Sequence, residues 1–241
     1  MRISFRFRWV PLLATLSVVV LGLSLGQWQD RRAAQKAALG ARLAERHGAA
    51  PILLGPDLVA GAPIEFRRLT ASGHFVREWP VYLENRPYQG RAGFYLMMPF
   101  KIDGSNTHLL VARGWLPRNG LDRARVPAYA TPSGTLTIGG TVKLSLGRVM
   151  QLGSRPALHP GAIVQNVDLA EFARASGLAL QPFLLEQAAP ADQARADPLV
   201  RDWPAPSLGI EKHRGYAFQW YALALMALLF FVITGCRREP N

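Results

Sequence analysis

The chain begins and ends with long apolar runs, and shorter alternating runs fill the interval between them. The first long run, Trp9 to Gly26, and the second, Tyr216 to Thr234, contain no charged residue. Each is long enough for a helix to cross about 30 Å of hydrocarbon. We therefore predict two transmembrane helices, at residues 9–28 and 211–235, on either side of one exported domain.

The first run has a second interpretation, a cleaved signal peptide, because basic residues precede such a peptide as well. Its length, and the lack of a small-residue cleavage pattern in the following "GQWQDRR", favour an uncleaved anchor. Arg2, Arg6 and Arg8 precede the first helix, and Arg237 and Arg238 follow the second. This arrangement favours both termini in the cytoplasm, with residues 27–215 on the other side of the membrane.

The interval changes character along its length. Residues 29–50 are rich in alanine and predict a helical stalk that continues the first membrane helix. Residues 51–187 contain short β-branched and aromatic runs broken by Gly, Pro and Asn, a pattern typical of antiparallel strands. The clearest strand, Thr135 to Leu146, alternates strictly, with Leu144 among the residues expected on its buried face. Gly139-Gly140 in its middle predicts a bulge or sharp bend.

The remaining elements follow from the same signals. Asp168 as N-cap and Gly177 as stop predict one short helix. Residues 188–210, rich in Pro, Ala and Asp, predict an irregular linker. The fold class is therefore an α+β membrane protein, in which two transmembrane helices flank one mainly antiparallel β domain, a curved sheet or partly closed barrel. Further strands are predicted near Ile64–Leu69, His74–Arg77, Val81–Glu84, Gly93–Pro99, His108–Trp115 and, after the helix, in "QPFLLEQ".

The charge and the cysteine content of the chain argue against several classes of function. The net charge is +12, from 28 basic and 16 acidic residues, but the basic residues form no stripe. We therefore expect attraction to anionic lipid headgroups and no nucleic-acid partner. The single cysteine, Cys236, follows the second membrane helix, so the exported domain has neither a disulfide nor a thiolate for metal transfer. The predicted exported domain lacks a GxSxG nucleophile elbow, which argues against a serine hydrolase.

Polar and aromatic residues gather where the second apolar run begins. His213, Tyr216 and Trp220 are spaced i, i+3 and i+7, so they share one helical face at the outer lipid boundary. Trp28 leaves the first helix at the same depth. Tyrosine and tryptophan are common at membrane interfaces, so one interpretation is an aromatic belt without a ligand.

A haem site is the second interpretation of these residues. Neutral imidazole ligates haem iron, flat aromatic side chains pack on the macrocycle, and arginines pair with its propionates. His213 supplies the imidazole, and Arg31, Arg32 and Arg214 supply the cations. One histidine without a CxxCH attachment motif leaves both interpretations open. The other four histidines, at 47, 74, 108 and 159, show no close ligand spacing and are expected to be ordinary hydrogen-bonded side chains.

Five motifs, in order along the chain, resemble the Surfeit locus protein 1 family, the membrane-anchored assembly factors of haem-copper cytochrome c oxidase. The resemblance covers nearly the whole chain. The motifs are "LGQWQDRRAAQK" (25–36), "ASGHFV" (71–76), "ENRPYQGRAGFYLMMPF" (84–100), "VARGWLP" (111–117) and "IEKHRGYAFQWYALA" (210–224).

The resemblance implies a non-catalytic, two-pass protein of the bacterial inner membrane whose central domain lies in the periplasm. It implies a role in placing haem a, held transiently, into oxidase subunit I, with a haem A synthase as a further candidate partner. It also implies that His213 is the iron ligand, and we expect the haem to lie between the two membrane helices. Trp28, Tyr216 and Trp220 would then form the packing wall, with Arg31, Arg32 and Arg214 near the propionates. The alternative function is a scaffold that stabilises an oxidase intermediate without binding haem.

Overall fold

The computed structural model describes residues 2–5, 7–120, 122, 125–150, 156–189, 197–204 and 208–239. The chain divides into two compact units, one formed by Met1–Leu43 with Ala205–Asn241 and the other by Ala44–Pro204. In chain order the elements are β1 (Arg2–Phe5), α1 (Trp9–Gly48), β2 (Ile52–Leu53), α2 (Gly61–Ile64), β3 (Arg68–Phe75), β4 (Val81–Leu83), β5 (Gly93–Ile102), β6 (Thr107–Pro117), β7 (Leu136–Lys143), β8 (Ile163–Val164), α3 (Leu169–Ser176), β9 (Ala179–Gln187), α4 (Ile210–Gly235) and β10 (Cys236–Glu239).

Two long helices, α1 of 40 residues and α4 of 26, are apolar enough to cross a membrane. Only 11% of the most apolar stretch of each is buried, whereas the core helix of a soluble domain would be mostly covered. The apolar side chains of both helices therefore face outward, as they do in a lipid environment. Beyond the helices, β1 and β10 pair antiparallel, with Arg2 opposite Glu239, so both terminal strands lie at the same end of this unit.

The second unit is built on a closed five-stranded barrel. Around the barrel, β3 pairs with β7, β7 with β9, β9 with β6, β6 with β5, and β5 again with β3. All of these pairs are antiparallel except β6 with β9. The extra strands β2, β4 and β8 extend the sheet, and the fold class predicted from the sequence is confirmed.

Strand β5 is buried on both faces, because its alternating side chains enter two different apolar clusters. Phe94, Leu96 and Met98 point into the barrel and join its apolar core. Tyr95 and Met97 point outward and pack in a second cluster together with Phe172 of α3. Asp168 caps α3 by accepting a hydrogen bond from the Glu171 backbone, and Gly177 ends it in the left-handed conformation, as predicted.

The β bulge is found at a different place from the one predicted. Gly139 and Gly140 pair without interruption, whereas the register shifts where Leu96 faces Gly114 and Met97 faces Ala112. Arg113 is therefore the extra residue of a bulge in β6. Gly140 has another function: a Cβ there would collide with the backbone carbonyl of Glu186 on β9.

Two further differences concern strand limits. The strands predicted at Ile64–Leu69 and His74–Arg77 are one strand, β3, because β7 pairs with it continuously from Arg68 to Gly73. Leu144, predicted on the buried face, is 40% exposed because β7 ends at Lys143.

Part of the predicted linker is anchored on the barrel. Residues 190–196 and 205–207 lie outside the described residues, but Leu199 is buried in the barrel core. Val200 exchanges two backbone hydrogen bonds with Trp115, at 2.7 and 3.0 Å. Gly114 permits this approach, because a Cβ there would lie 2.8 Å from that of Leu199.

Candidate functional site

The two long helices contact each other along a seam of small residues. Gly22, Gly26 and Ala33 of α1 are buried, as are Ala217 and Ala224 of α4. A Cβ on Gly22 would lie 2.9 Å from the carbonyl oxygen of Trp220, and a Cβ on Gly26 would collide with the ring of Tyr221. Small residues at this spacing allow helix backbones to approach closely in a membrane.

This close contact corrects one expectation from the sequence. We expected a gap between the helices that admits a porphyrin. At the level of Gly22 and Gly26 the side chains and backbone of α4 already fill that space. Gln29 and His213 are also in direct contact, so the space between the helices is closed at their level as well.

Two hydrogen bonds join the helices between the levels of Gly26 and Ala33 of α1. Gln29 Oε1 lies 2.6 Å from Nδ1 of His213. The hydroxyl of Tyr221 donates to Oδ2 of Asp30 at 2.8 Å. The two α1 residues are consecutive, so neighbouring positions on one helix bind two different turns of the other. Neither pairing was predicted from the sequence, because the partners lie more than 180 positions apart and no local pattern connects them.

The contact with Gln29 selects between the two tautomers of the imidazole. A carbonyl oxygen only accepts, so this contact is a hydrogen bond in the tautomer that carries its proton on Nδ1. The lone pair of the neutral ring then lies on Nε2. Among the described residues Nε2 forms no hydrogen bond. A histidine that donates from one ring nitrogen and presents the other is the arrangement usual for metal-ligating histidines.

The predicted aromatic residues are only partly brought together. Trp28 is 52% exposed and Tyr216 is 53% exposed, while Trp220 is partly buried beside the seam. About half of Trp28 and of Tyr216 is therefore covered by the protein. The exposed faces of Trp28 and Tyr216 fit an aromatic belt and also fit a ligand bound on the outer surface.

The predicted arginines lie on the surface and do not contact His213. Arg214 forms an ion pair with Glu211 at 3.3 Å, and Arg32 donates to Gln35 at 3.2 Å. Arg31 is exposed. Arg32 and Lys36 nevertheless lie close enough to interact electrostatically with the imidazole. Two features thus fit a haem, an imidazole with a free Nε2 and nearby cations for its carboxylates.

A second group of motif residues lies in the β domain. Arg86 is buried and donates to three carbonyl groups, of Leu146, Gly147 and Gln165, at 3.1 to 3.2 Å. Trp115 donates from its indole nitrogen to the carbonyl of Arg86 at 2.7 Å. The motifs at 84–100 and 111–117 therefore meet in space and hold the surrounding loops.

The other histidines have no metal-binding arrangement in the described part of the chain. No three His, Cys, Asp or Glu side chains there are close enough to hold an ion. His108 is buried, and its Nδ1 lies 3.2 Å from the carbonyl of Ala179. Burial lowers the pKa of His108 below its ordinary value, so the ring is neutral at pH 7.

Comparisons with known proteins agree with this architecture. A model of the SURF1 family matches residues 16–225. A SURF1-like protein of Monosiga brevicollis is 26% identical over 234 residues, covering 91% of this chain and 85% of that protein. A SURF1-like protein of Caenorhabditis elegans is 25% identical over 242 residues, covering 90% and 71%. The cytochrome oxidase assembly protein SHY1 of Saccharomyces cerevisiae is 30% identical over 101 residues, covering 40% of this chain and 25% of that protein. Since the family model covers most of α1, the whole barrel and the first part of α4, the chain belongs to the SURF1 family.

Proposed function

We propose that this protein is a non-catalytic assembly factor of haem-copper cytochrome c oxidase, which binds haem a and delivers it to subunit I. Family membership and the name of the yeast relative support the assembly role. The haem step depends on one observation, the contact of His213 Nδ1 with Gln29 Oε1, which leaves Nε2 free to donate to iron. Bound haem a would supply the redox-active iron centre that the oxidase requires.

The residues have separate parts in this proposal. His213 provides the axial nitrogen. Trp28 and Tyr216, each about half exposed, offer apolar ring surface next to the lipid. Arg31, Arg32 and Arg214 are the candidate partners for the haem carboxylates, although Arg214 must first leave Glu211. Trp220 lies beside the seam and supports the helix pair. A site on the outer surface of the helices, open to lipid, suits a ligand with a lipophilic tail.

The proposed location is the inner membrane of a bacterium, with the barrel in the periplasm. The basic residues at both termini support cytoplasmic ends. In this orientation His213 lies at the periplasmic boundary of the bilayer. A haem A synthase in the same membrane is a further candidate partner.

The second candidate function is a scaffold that stabilises an oxidase intermediate without haem. The filled seam between α1 and α4 favours it, because the helices contain no interior cleft at that level. Its contacts would lie on the surface of the barrel domain. The two functions differ in whether the purified protein carries haem.

The two functions can be distinguished by the visible spectrum of the protein purified from cells that make haem A. The carrier function predicts stoichiometric haem a in the wild type and little in His213→Ala, with less haem in the oxidase of the variant strain. A haem-free wild type that still supports oxidase assembly would favour the scaffold.

A further inference from the structure

We infer that Gln29 is the positioning residue for His213: it fixes the Nδ1–H tautomer of the imidazole and presents Nε2 to the ligand. This inference rests on the proposed function, in which His213 ligates haem iron. The observation that supports it is the 2.6 Å contact between Gln29 Oε1 and His213 Nδ1, two residues that lie 184 positions apart in the sequence and on different helices.

The contact is held by packing on both sides of it. Gly26, one turn before Gln29, lies against the ring of Tyr221, and Ala33, one turn after, is buried in the same seam. Gln29 and His213 are both partly buried, so the amide and the imidazole face each other within a fixed helix pair. The rotation of α4 about its axis therefore cannot easily change without breaking the seam.

The chemistry of the pair explains why the side chain at position 29 affects ligation. A free imidazole divides its proton between two nitrogens, and only the Nδ1–H form has its lone pair on Nε2. An acceptor at Nδ1 selects that form and makes Nε2 a better donor. Outer-shell partners of metal-ligating histidines act in this way, and their loss typically weakens metal binding about 10- to 100-fold.

The neighbouring pair, Asp30 with Tyr221, supplies a matched control. It is also a hydrogen bond between α1 and α4, at 2.8 Å, but it does not touch the imidazole. Tyr221→Phe removes this bond and keeps the ring that packs on Gly26. If a Gln29 variant weakened haem binding only by loosening the helix pair, Tyr221→Phe should weaken haem binding to the same extent.

The experiment compares full-length wild type, Gln29→Met, Gln29→Glu and Tyr221→Phe in detergent. Met has a similar length but accepts weakly, whereas the carboxylate of Glu is a strong acceptor. We expect Gln29→Met to raise the Kd for haem a about 10- to 100-fold, by the range for outer-shell partners. Gln29→Glu should retain binding with a shifted Soret band, and Tyr221→Phe should bind like the wild type. Unchanged affinity in Gln29→Met, or an equal loss in Tyr221→Phe, would overturn the inference.

A second readout does not require haem. Nitrogen-15 NMR of the histidine rings distinguishes the two tautomers, and the His213 signals are identified by their loss in His213→Gln. We expect the Nδ1–H tautomer in wild type and Gln29→Glu, and a mixture in Gln29→Met. If the wild type binds no haem, the proposed function fails, and the NMR result still decides whether Gln29 sets the tautomer.

Discussion

At the scale of single residues, Arg113 places a cation inside the barrel core. Its side chain is 1% exposed and stacks over the ring of Phe75, 4.5 Å from the ring centroid. Its terminal nitrogens donate to Thr131 Oγ1 at 2.7 Å and to the carbonyl of Ala130 at 3.0 Å. Burial lowers the pKa of Arg113 to about 10, so it remains charged at neutral pH. The bulge in β6 aims this side chain inward, where it holds the loop before β7 against the core.

Replacement of Arg113 tests this structural function. We expect Arg113→Met to lower the free energy of unfolding by about 2–4 kcal/mol, because two partly buried hydrogen bonds and the aromatic contact are lost. Arg113→Lys keeps the charge but not the forked geometry, so its loss should be smaller. The matched control is Arg91→Met, an exposed position, expected to change stability by less than about 0.5 kcal/mol. Thermal unfolding of the detergent-solubilised protein measures all three, and equal losses at both positions would contradict this account.

His108 gives the β domain a dependence on pH. Burial lowers the pKa of His108 below 6.5, and the nearby charge of Lys101 acts in the same direction. The folded domain therefore binds fewer protons than the unfolded chain in mild acid, and stability declines as the pH falls below 6.5 through the lowered pKa. We expect His108→Asn, which keeps a donor for Ala179, to lose less melting temperature between pH 7 and pH 5 than the wild type. Parallel curves for the two proteins would show that His108 does not contribute.

At the scale of elements, two adjacent glycines in β7 have opposite surroundings. A Cβ on Gly140 would collide with the backbone carbonyl of Glu186, which cannot move without shifting β9. A Cβ on Gly139 would lie 3.7 Å from the nearest atom, a methyl carbon of Thr70. The first glycine is required by the spacing of β7 and β9, and the second is not.

The two corresponding alanine substitutions should have different effects on the free energy of unfolding. Gly140→Ala should destabilise the domain by about 1–3 kcal/mol, the usual cost of overpacking. Gly139→Ala should be neutral or stabilise it by about 0.4–1 kcal/mol, since alanine restricts the unfolded chain more than glycine does. Chemical denaturation monitored by tryptophan fluorescence distinguishes them. A similar effect of both changes would mean that β7 and β9 do not approach as closely as described.

The sequence could predict some of these elements because their signals are local. The alternation in β7 and the capping residues of α3 are both read within a dozen residues. The bulge at Arg113 and the continuous β3 could not be found in this way, because strand ends and bulges depend on the partner strand. The burial of Leu199 likewise depends on a residue far away in the sequence, because it requires that Gly114 has no side chain.

At the scale of the whole molecule, the depth of each candidate site residue in the membrane could be predicted, whereas the contacts between the two helices could not. Helical periodicity placed His213 at the boundary of the second span, beside Trp28 of the first. It did not give the rotation of one helix against the other, which is set by Gly22, Gly26 and the residues opposite them. This rotation brings Gln29 to His213 and leaves Trp28 exposed.

The paired terminal strands predict that both ends of the chain lie on the same side of the membrane. Phe5 faces Cys236 across the β1–β10 pair, so the helices enter and leave the bilayer on one side. The proposed topology, based on the basic residues near both ends, predicts that this side is the cytoplasm. Cys236 is exposed and is the only cysteine, so it is a natural reporter of this topology.

Labelling with a membrane-impermeant maleimide tests the prediction in bacterial spheroplasts. We expect Cys236 to react only after the cells are permeabilised, because the reagent cannot reach the cytoplasm. The matched control, Met150→Cys in a Cys236→Ser background, places the thiol at a position that is 82% exposed in the β domain. It should react in intact spheroplasts. The reverse pattern would invert the topology and place His213 at the cytoplasmic boundary. Labelling of both thiols without permeabilisation would mean that the two helices do not cross the membrane as a pair.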